Sequence, residues 1–127
     1  MADDVDFTGA WHCTHWYPSN NHDGDDMSEC EVVAQQKGTL VVFQSLPDEH
    51  GAYLLVRLRI DDDFARGTWT ENAAVDGEYE GKLYSGSLEM IIDADKRRIA
   101  GKWVGIGQDQ VKNQPDVYVG RWELSRT

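Results

Sequence analysis

Apolar and β-branched runs of five to ten residues follow one another along the chain, each bounded by clusters of Asp, Gly, Asn and Pro. No window of eleven or more residues carries a sustained helical period free of Gly. Such a chain satisfies its backbone between strands rather than within helices, so the fold class it predicts is all-β. The runs resolve into eight strands, A over 7–17, B over 27–36, C over 39–46, D over 52–60, E over 64–71, F over 79–92, G over 98–106 and H over 117–125. Gly81 and Gly86 suggest bends within the long strand F.

The connections alternate in length. Those over 18–26, 47–51, 72–77 and 107–116 are long, whereas 37–38, 61–63 and 93–96 are short. In an up-and-down meander alternate loops share an end, so the long loops form a mouth and the short ones a closed base. An eight-stranded meander closed on itself has no exposed edge, and its interior can hold one small ligand. With 127 residues the chain is the size of one domain, and residues 1–127 are read as a single barrel.

A glycine two residues before a large side chain recurs at the base: Gly9-Ala-Trp11, Gly38-Thr-Leu40, Gly67-Thr-Trp69 and Gly101-Lys-Trp103, at steps of 29, 29 and 34 residues. Gly120-Arg-Trp122 repeats the pattern near the end of strand H. Each step is one hairpin, so Trp11, Trp69, Trp103 and Trp122 are expected to converge on one end and plug it.

These residues resemble a known group. Phe7-Thr-Gly9-Ala-Trp11 is similar to the first-strand Gly-x-Trp signature of lipocalins and the wider calycin superfamily. Gly67-Thr-Trp69-Thr and Gly101-Lys-Trp103-Val-Gly105 look like the lipocalin-like C-terminal modules found behind helix-turn-helix regions in some bacterial regulators. The resemblance implies a ligand-binding β-barrel over nearly the whole chain. It also implies a basic residue of the last strand lying across Trp11, a role that fits Arg126 better than Arg121. The chain departs from the group's specialised members: it has no Arg/Tyr clamp for fatty acids, no set of biotin contacts and no haem ligand. No helix-turn-helix is present, so DNA binding does not carry over.

Side-chain parity gives the expected lumen. With Trp11 inward, strand A also turns Cys13, His15 and Tyr17 inward, and strand C turns Val42, Gln44 and Leu46. In strand D the face of Leu54, Val56, Leu58 and Ile60 is inside, because the other carries Arg57 and Arg59. An apolar wall with His15, Tyr17, Gln44, Glu71, Tyr84 and Tyr118 as polar handles is the usual make-up of a small-molecule pocket. The expected function is binding or sensing of a small, mainly apolar or aromatic molecule, with His15, Tyr17 and Glu71 toward the mouth. The alternatives are a protein-interaction module with a filled barrel and, less favoured, an enzyme using His15 and Glu71. No nucleophile, metal or phosphate loop accompanies that pair, so no catalytic residue and no cofactor are assigned.

The segment His12-Cys13-Thr14-His15, with His22 and Cys30, invites a metal reading, but His12 and His15 have opposite parity and no metal is expected. Asp23-Gly-Asp-Asp26 and Asp61-Asp-Asp63 lack the twelve-residue calcium loop and read as solvated turns. Cys13 and Cys30 sit symmetrically about the A/B loop as candidate cross-strand neighbours, and thiols are expected. A net charge of −11 repels nucleic acid and anionic membrane surfaces. The acidic start Met1-Ala-Asp-Asp-Val-Asp6 lacks the apolar core of a secretory signal, so the expected location is the cytoplasm.

Overall fold

The computed structural model describes residues 5–18, 25–46, 52–72, 83–109 and 114–127. The eight strands are β1 (Gly9–Pro18), β2 (Asp25–Lys37), β3 (Leu40–Gln44), β4 (Tyr53–Asp61), β5 (Phe64–Asn72), β6 (Leu83–Ile92), β7 (Arg98–Asp109) and β8 (Gln114–Arg126). They form a closed barrel in chain order, each strand antiparallel to the next and β8 returning to β1. Among the described residues there is no helix. The all-β, eight-stranded antiparallel barrel expected from the sequence is therefore the observed fold. Residues 79–82, including Gly81, and most of the four long connections, with His22, lie outside the described residues.

The base is built from short turns. Gly38-Thr39 and Asp62-Asp63 each join two strands, and Asp62 takes a left-handed conformation (φ 53°), which a short polar side chain tolerates. Between β6 and β7 the Asp93 carboxylate accepts hydrogen bonds from the backbone N–H groups of Arg97 and Arg98, both at 3.0 Å.

The first strand begins two residues later than expected. Gly9 has φ 124°, so the chain bends there, and residues 5–8 run across the base. Phe7 is buried beneath Trp11, whose indole N–H donates to the Phe7 carbonyl at 2.8 Å. Gln36 holds this segment from β2: it accepts from the Phe7 N–H at 2.8 Å and donates to the Val5 carbonyl at 3.1 Å. Arg126 holds it from β8, donating to the carbonyls of Asp6 (3.1 Å) and Thr8 (2.6 Å). Its guanidinium lies over the Trp11 ring at 5.3 Å from the centroid, the placement implied by the resemblance. Arg121 instead covers Trp16 on the outer face, at 4.6 Å.

Two sequence expectations are corrected. The four tryptophans do not form one plug. Trp11 packs with Phe7 and Phe43 at the base, whereas Trp69 contacts Trp103 (5.5 Å) and Trp122 (5.8 Å) in a second cluster. The reason is register: β8 meets β1 with Trp11 opposite Arg126 and His15 opposite Trp122. Trp122 is thus level with a residue four positions up β1, roughly 13 Å along the strand from Trp11. The rings of the upper cluster need room, which inward-facing glycines supply. A Cβ on Gly86 or on Gly105 would lie 2.7 Å from a Trp69 ring atom.

The second correction is the phase of β3. Val41, Phe43 and Ser45 point inward, while Gln44 and Leu46 are exposed and Val42 is only half-buried. The two-residue turn pairs Lys37 with Leu40 and Gln36 with Val41. Because Gln36 turns inward to close the base, Val41 must as well, and Gln44 follows Leu40 outward. In β4 the expected face holds: Leu54, Val56, Leu58 and Ile60 are buried, and Arg57 and Arg59 are exposed.

If the Arg126 latch holds the base, deleting Arg126 and Thr127 removes a cation–π contact, the two guanidinium hydrogen bonds, and the bonds from the Arg126 N–H to the Arg97 carbonyl and from Thr127 to the Ala10 carbonyl. The expected loss is about 1–3 kcal/mol. Thermal unfolding should show it as a Tm drop of several degrees, with Arg121→Ala nearly neutral. A truncated chain that melts with the parent would show that the latch contributes nothing.

Candidate functional site

The upper half of the barrel is uneven. β2 is thirteen residues long and β3 only five, and β3 pairs with β2 from Val33 to Lys37. Among the described residues, β2 above Val33 has its paired neighbour on the β1 side alone. There the wall parts, and a cleft of about 800 Å³ opens between β2 and the upper ends of β4 and β5. Inward side chains that line it include His15, Ser28, Cys30, Val32, Ser45, Leu54 and Glu71, and the outward-facing Glu29, Glu31 and Gln35 border it.

His15 is the most enclosed polar group of this site. Its ring stacks on Trp122, with centroids 4.6 Å apart and planes 16° from parallel, and lies 5.8 Å from the Tyr17 ring. Its Nε2 is 3.6 Å from a Glu71 carboxylate oxygen, just beyond hydrogen-bonding distance. Burial pushes the His15 pKa down from 6.5 to about 4, so the imidazole is neutral at pH 7 and the contact with Glu71 is not an ion pair. Burial also raises the Glu71 carboxyl above its ordinary range, although a third of its side chain remains exposed.

Two buried polar atoms here have no hydrogen-bond partner among the described residues, His15 Nδ1 and Trp122 Nε1. The Trp122 N–H bears on the ionisation of the Cys13 thiol, but no acceptor meets hydrogen-bond geometry. A neutral His15 with its proton on Nε2, toward Glu71, leaves Nδ1 as an acceptor. The stacked pair then offers one donor and one acceptor, each of which costs about 1–3 kcal/mol while unpaired.

The other expected handles divide. Tyr17 and Tyr84 are half-buried against the core, and Tyr84 stands opposite Glu71 in the β5–β6 register. Tyr118 is half-buried opposite Gly105, on the Trp69 side of the lumen. Gln44 is no lumen residue. From the outer face it reaches only the rim of the cleft, for the reason of register given above. His12 faces outward, its Nδ1 2.6 Å from Glu31, so the two histidines of strand β1 lie on opposite sides of the wall. Among the described residues no three His, Cys, Asp or Glu side chains are placed to hold a metal ion.

Ser28, Cys30 and Ser45 belong to the site although sequence reading did not single them out as handles. For Ser28 and Cys30 the signal was the pairing of β1 with β2, whereas Ser45 follows the inward phase of Val41 and Phe43. Once Cys13 stands opposite Cys30, Ser28 stands opposite His15 and shares its face. The outer wall carries a different feature: Val104 pairs with Val119 and Ile106 with Val117, and all four are exposed.

The His15 shift gives stability a definite pH dependence. Unfolded, this side chain takes up a proton near 6.5; folded, it does so only near 4. The unfolded state binds more protons between those values, so stability is present above 6.5 and is lost as pH falls through the window. Linkage puts the full loss at roughly 3 kcal/mol. Glu71 acts in the opposite sense, since its raised pKa favours the folded state at lower pH. In urea titrations from pH 7 to 4, His15→Phe should flatten the acid slope and Glu71→Gln should steepen it. Parallel slopes in all three proteins would remove His15 as the titrating group.

The architecture, a closed barrel of eight antiparallel strands, is compatible with a lipocalin-like fold. No protein-family model, curated protein or solved structure matches the chain.

Proposed function

We propose that the protein is a lipocalin-like binding barrel that takes a small, mainly apolar or aromatic molecule into the cleft beside β2, for sensing or carriage in the cytoplasm. The observation that carries this reading is His15, which lines the cleft stacked on Trp122 and has a buried Nδ1 with no hydrogen-bond partner among the described residues, beside the apolar Val32 and Leu54 and the polar Ser28, Ser45 and Glu71. Apolar walls supply affinity, and a few convergent polar groups fix orientation. A ligand hydroxyl or amide N–H can donate to His15 Nδ1. Glu71 and the net charge of −11 disfavour an anionic ligand. Catalysis is the weaker reading. A general base works best with a pKa near the working pH, and His15 sits at about 4.

The exposed strip Val104, Ile106, Val117 and Val119 favours a second reading, a protein-contact module. On a chain of net charge −11 this uncharged strip, bordered by Lys102 and Arg121, is where two copies meet with least repulsion.

Native mass spectrometry of the protein isolated from its own host tests the first reading by retaining any bound molecule. Binding should change tryptophan fluorescence, because His15 stacks on Trp122. His15→Ala or Glu71→Ala should weaken binding by about 1–3 kcal/mol per lost partner while leaving the barrel folded. If no small molecule is retained and a panel of aromatic compounds leaves the fluorescence unchanged, the binding reading fails. Self-association in sedimentation velocity that Val119→Lys abolishes would then support the second.

A further inference from the structure

The thiol pair has a geometry and an asymmetry that ligand binding does not use. We propose that Cys13 and Cys30 form a site of reversible oxidation, at which a hydroperoxide converts the two thiols into a cross-strand disulfide, with Cys30 meeting the oxidant. This inference does not rest on the binding function proposed above.

Cys13 and Cys30 are directly opposed in the β1–β2 register, and both are free thiols. Opposed residues of an antiparallel pair have Cα atoms roughly 4.5–5.5 Å apart, inside the roughly 4.4–6.8 Å range that a disulfide spans. Opposed positions share a face, so both sulfurs point inward and toward one another. The Cα spacing of opposed positions is thus compatible with a disulfide between β1 and β2.

The two thiols differ in access for a reason built into the barrel. At Cys13, β1 is flanked by paired strands on both sides, with Cys30 on one and Leu124 on the other, and the residue is fully buried. At Cys30, β2 is paired on the β1 side alone among the described residues, and the half-buried thiol lines the cleft. The proximity of the two thiols lowers the pKa of Cys30 and raises that of Cys13. The accessible member of the pair is thus the better thiolate, and a thiolate is the nucleophile.

The chemistry proceeds in two steps. The Cys30 thiolate attacks one oxygen of the hydroperoxide, the O–O bond breaks, and the departing oxygen leaves with a proton as alcohol or water. Cys30 is now a sulfenic acid, oxidised by two electrons, and the hydroperoxide is reduced by two. The Cys13 sulfur then attacks the Cys30 sulfur, the S–O bond breaks, and hydroxide takes the Cys13 proton and leaves as water. The product is a disulfide that ties β1 to β2 in the wall of the cleft, and thiol exchange with an external dithiol reverses it.

The test treats the reduced full chain with hydrogen peroxide at low protein concentration. The expected product is a monomer lighter by two hydrogens, with a peptide joining Cys13 to Cys30, restored by dithiothreitol. Cys13→Ala should stop at a Cys30 sulfenic acid that dimedone captures, and Cys30→Ala should leave Cys13 unreacted. Should either variant fail to fold, alkylation of the native wild type decides: Cys30 should react at least about tenfold faster than Cys13, as expected of the exposed thiolate of the pair. The proposal is overturned if peroxide carries Cys30 to sulfinic acid without a cross-link, links separate chains, or leaves both thiols intact. Equal alkylation rates would overturn it as well.

Discussion

Everything above the base depends on how β8 returns to β1. A barrel closes in one register only, and here that register sets Trp11 against Arg126 and His15 against Trp122. The first pair seals the bottom: Arg126 covers Trp11 and, with Gln36, holds residues 5–8 across the opening. The second pair creates the site, because it stacks the buried His15 on Trp122, whose N–H has no acceptor among the described residues. A shift of one residue would turn both pairs to the wrong face.

Aromatic bulk decides where space remains. Three tryptophans on β5, β7 and β8 occupy the centre of the lumen, and this is possible because Gly86 and Gly105 present bare backbone to the Trp69 ring. Two further hydrogen bonds fix the rings, from Trp103 to the Trp16 carbonyl at 2.7 Å and from Trp69 to the Val104 carbonyl at 3.3 Å. With the centre filled, the available volume is displaced sideways to the place where short β3 fails to cover long β2. Among the described residues the site is therefore a lateral cleft beside β2. The same uncovered stretch of β2 gives Cys30 its access while Cys13 stays enclosed.

The electrostatics of the cleft follow from burial more than from pairing. His15 and Glu71 approach one another, yet each shifts toward its neutral form because desolvation outweighs their attraction. Buried charge is costly, and a neutral imidazole beside a carboxyl is suited to fixing a polar group of a guest. The charges of this acidic chain gather outside, as in the contacts of His12 with Glu29 and Glu31 and of Arg98 with Glu123.

Strand number, order and antiparallel sense were legible in the sequence, because turn residues interrupt apolar runs at hairpin spacing and a chain with no helical period has few other ways to satisfy its backbone. The inward face of β4 was legible too, since Arg57 and Arg59 mark the opposite side. Parity along β1 separated His12 from His15 and set Cys13 and His15 on one face. The phase of β3 was not legible: Leu40 and Val42 on one face are as apolar as Val41 and Phe43 on the other. Only the pairing of Gln36 with Val41 chose between them and sent Gln44 outward. Nor could spacing along the chain place the tryptophans relative to one another, because their heights depend on the stagger between strands. That stagger, together with the short reach of β3, is a property of the closed barrel. It alone decided that His15 meets Trp122, that the wall opens at Cys30, and that the cleft lies where it does.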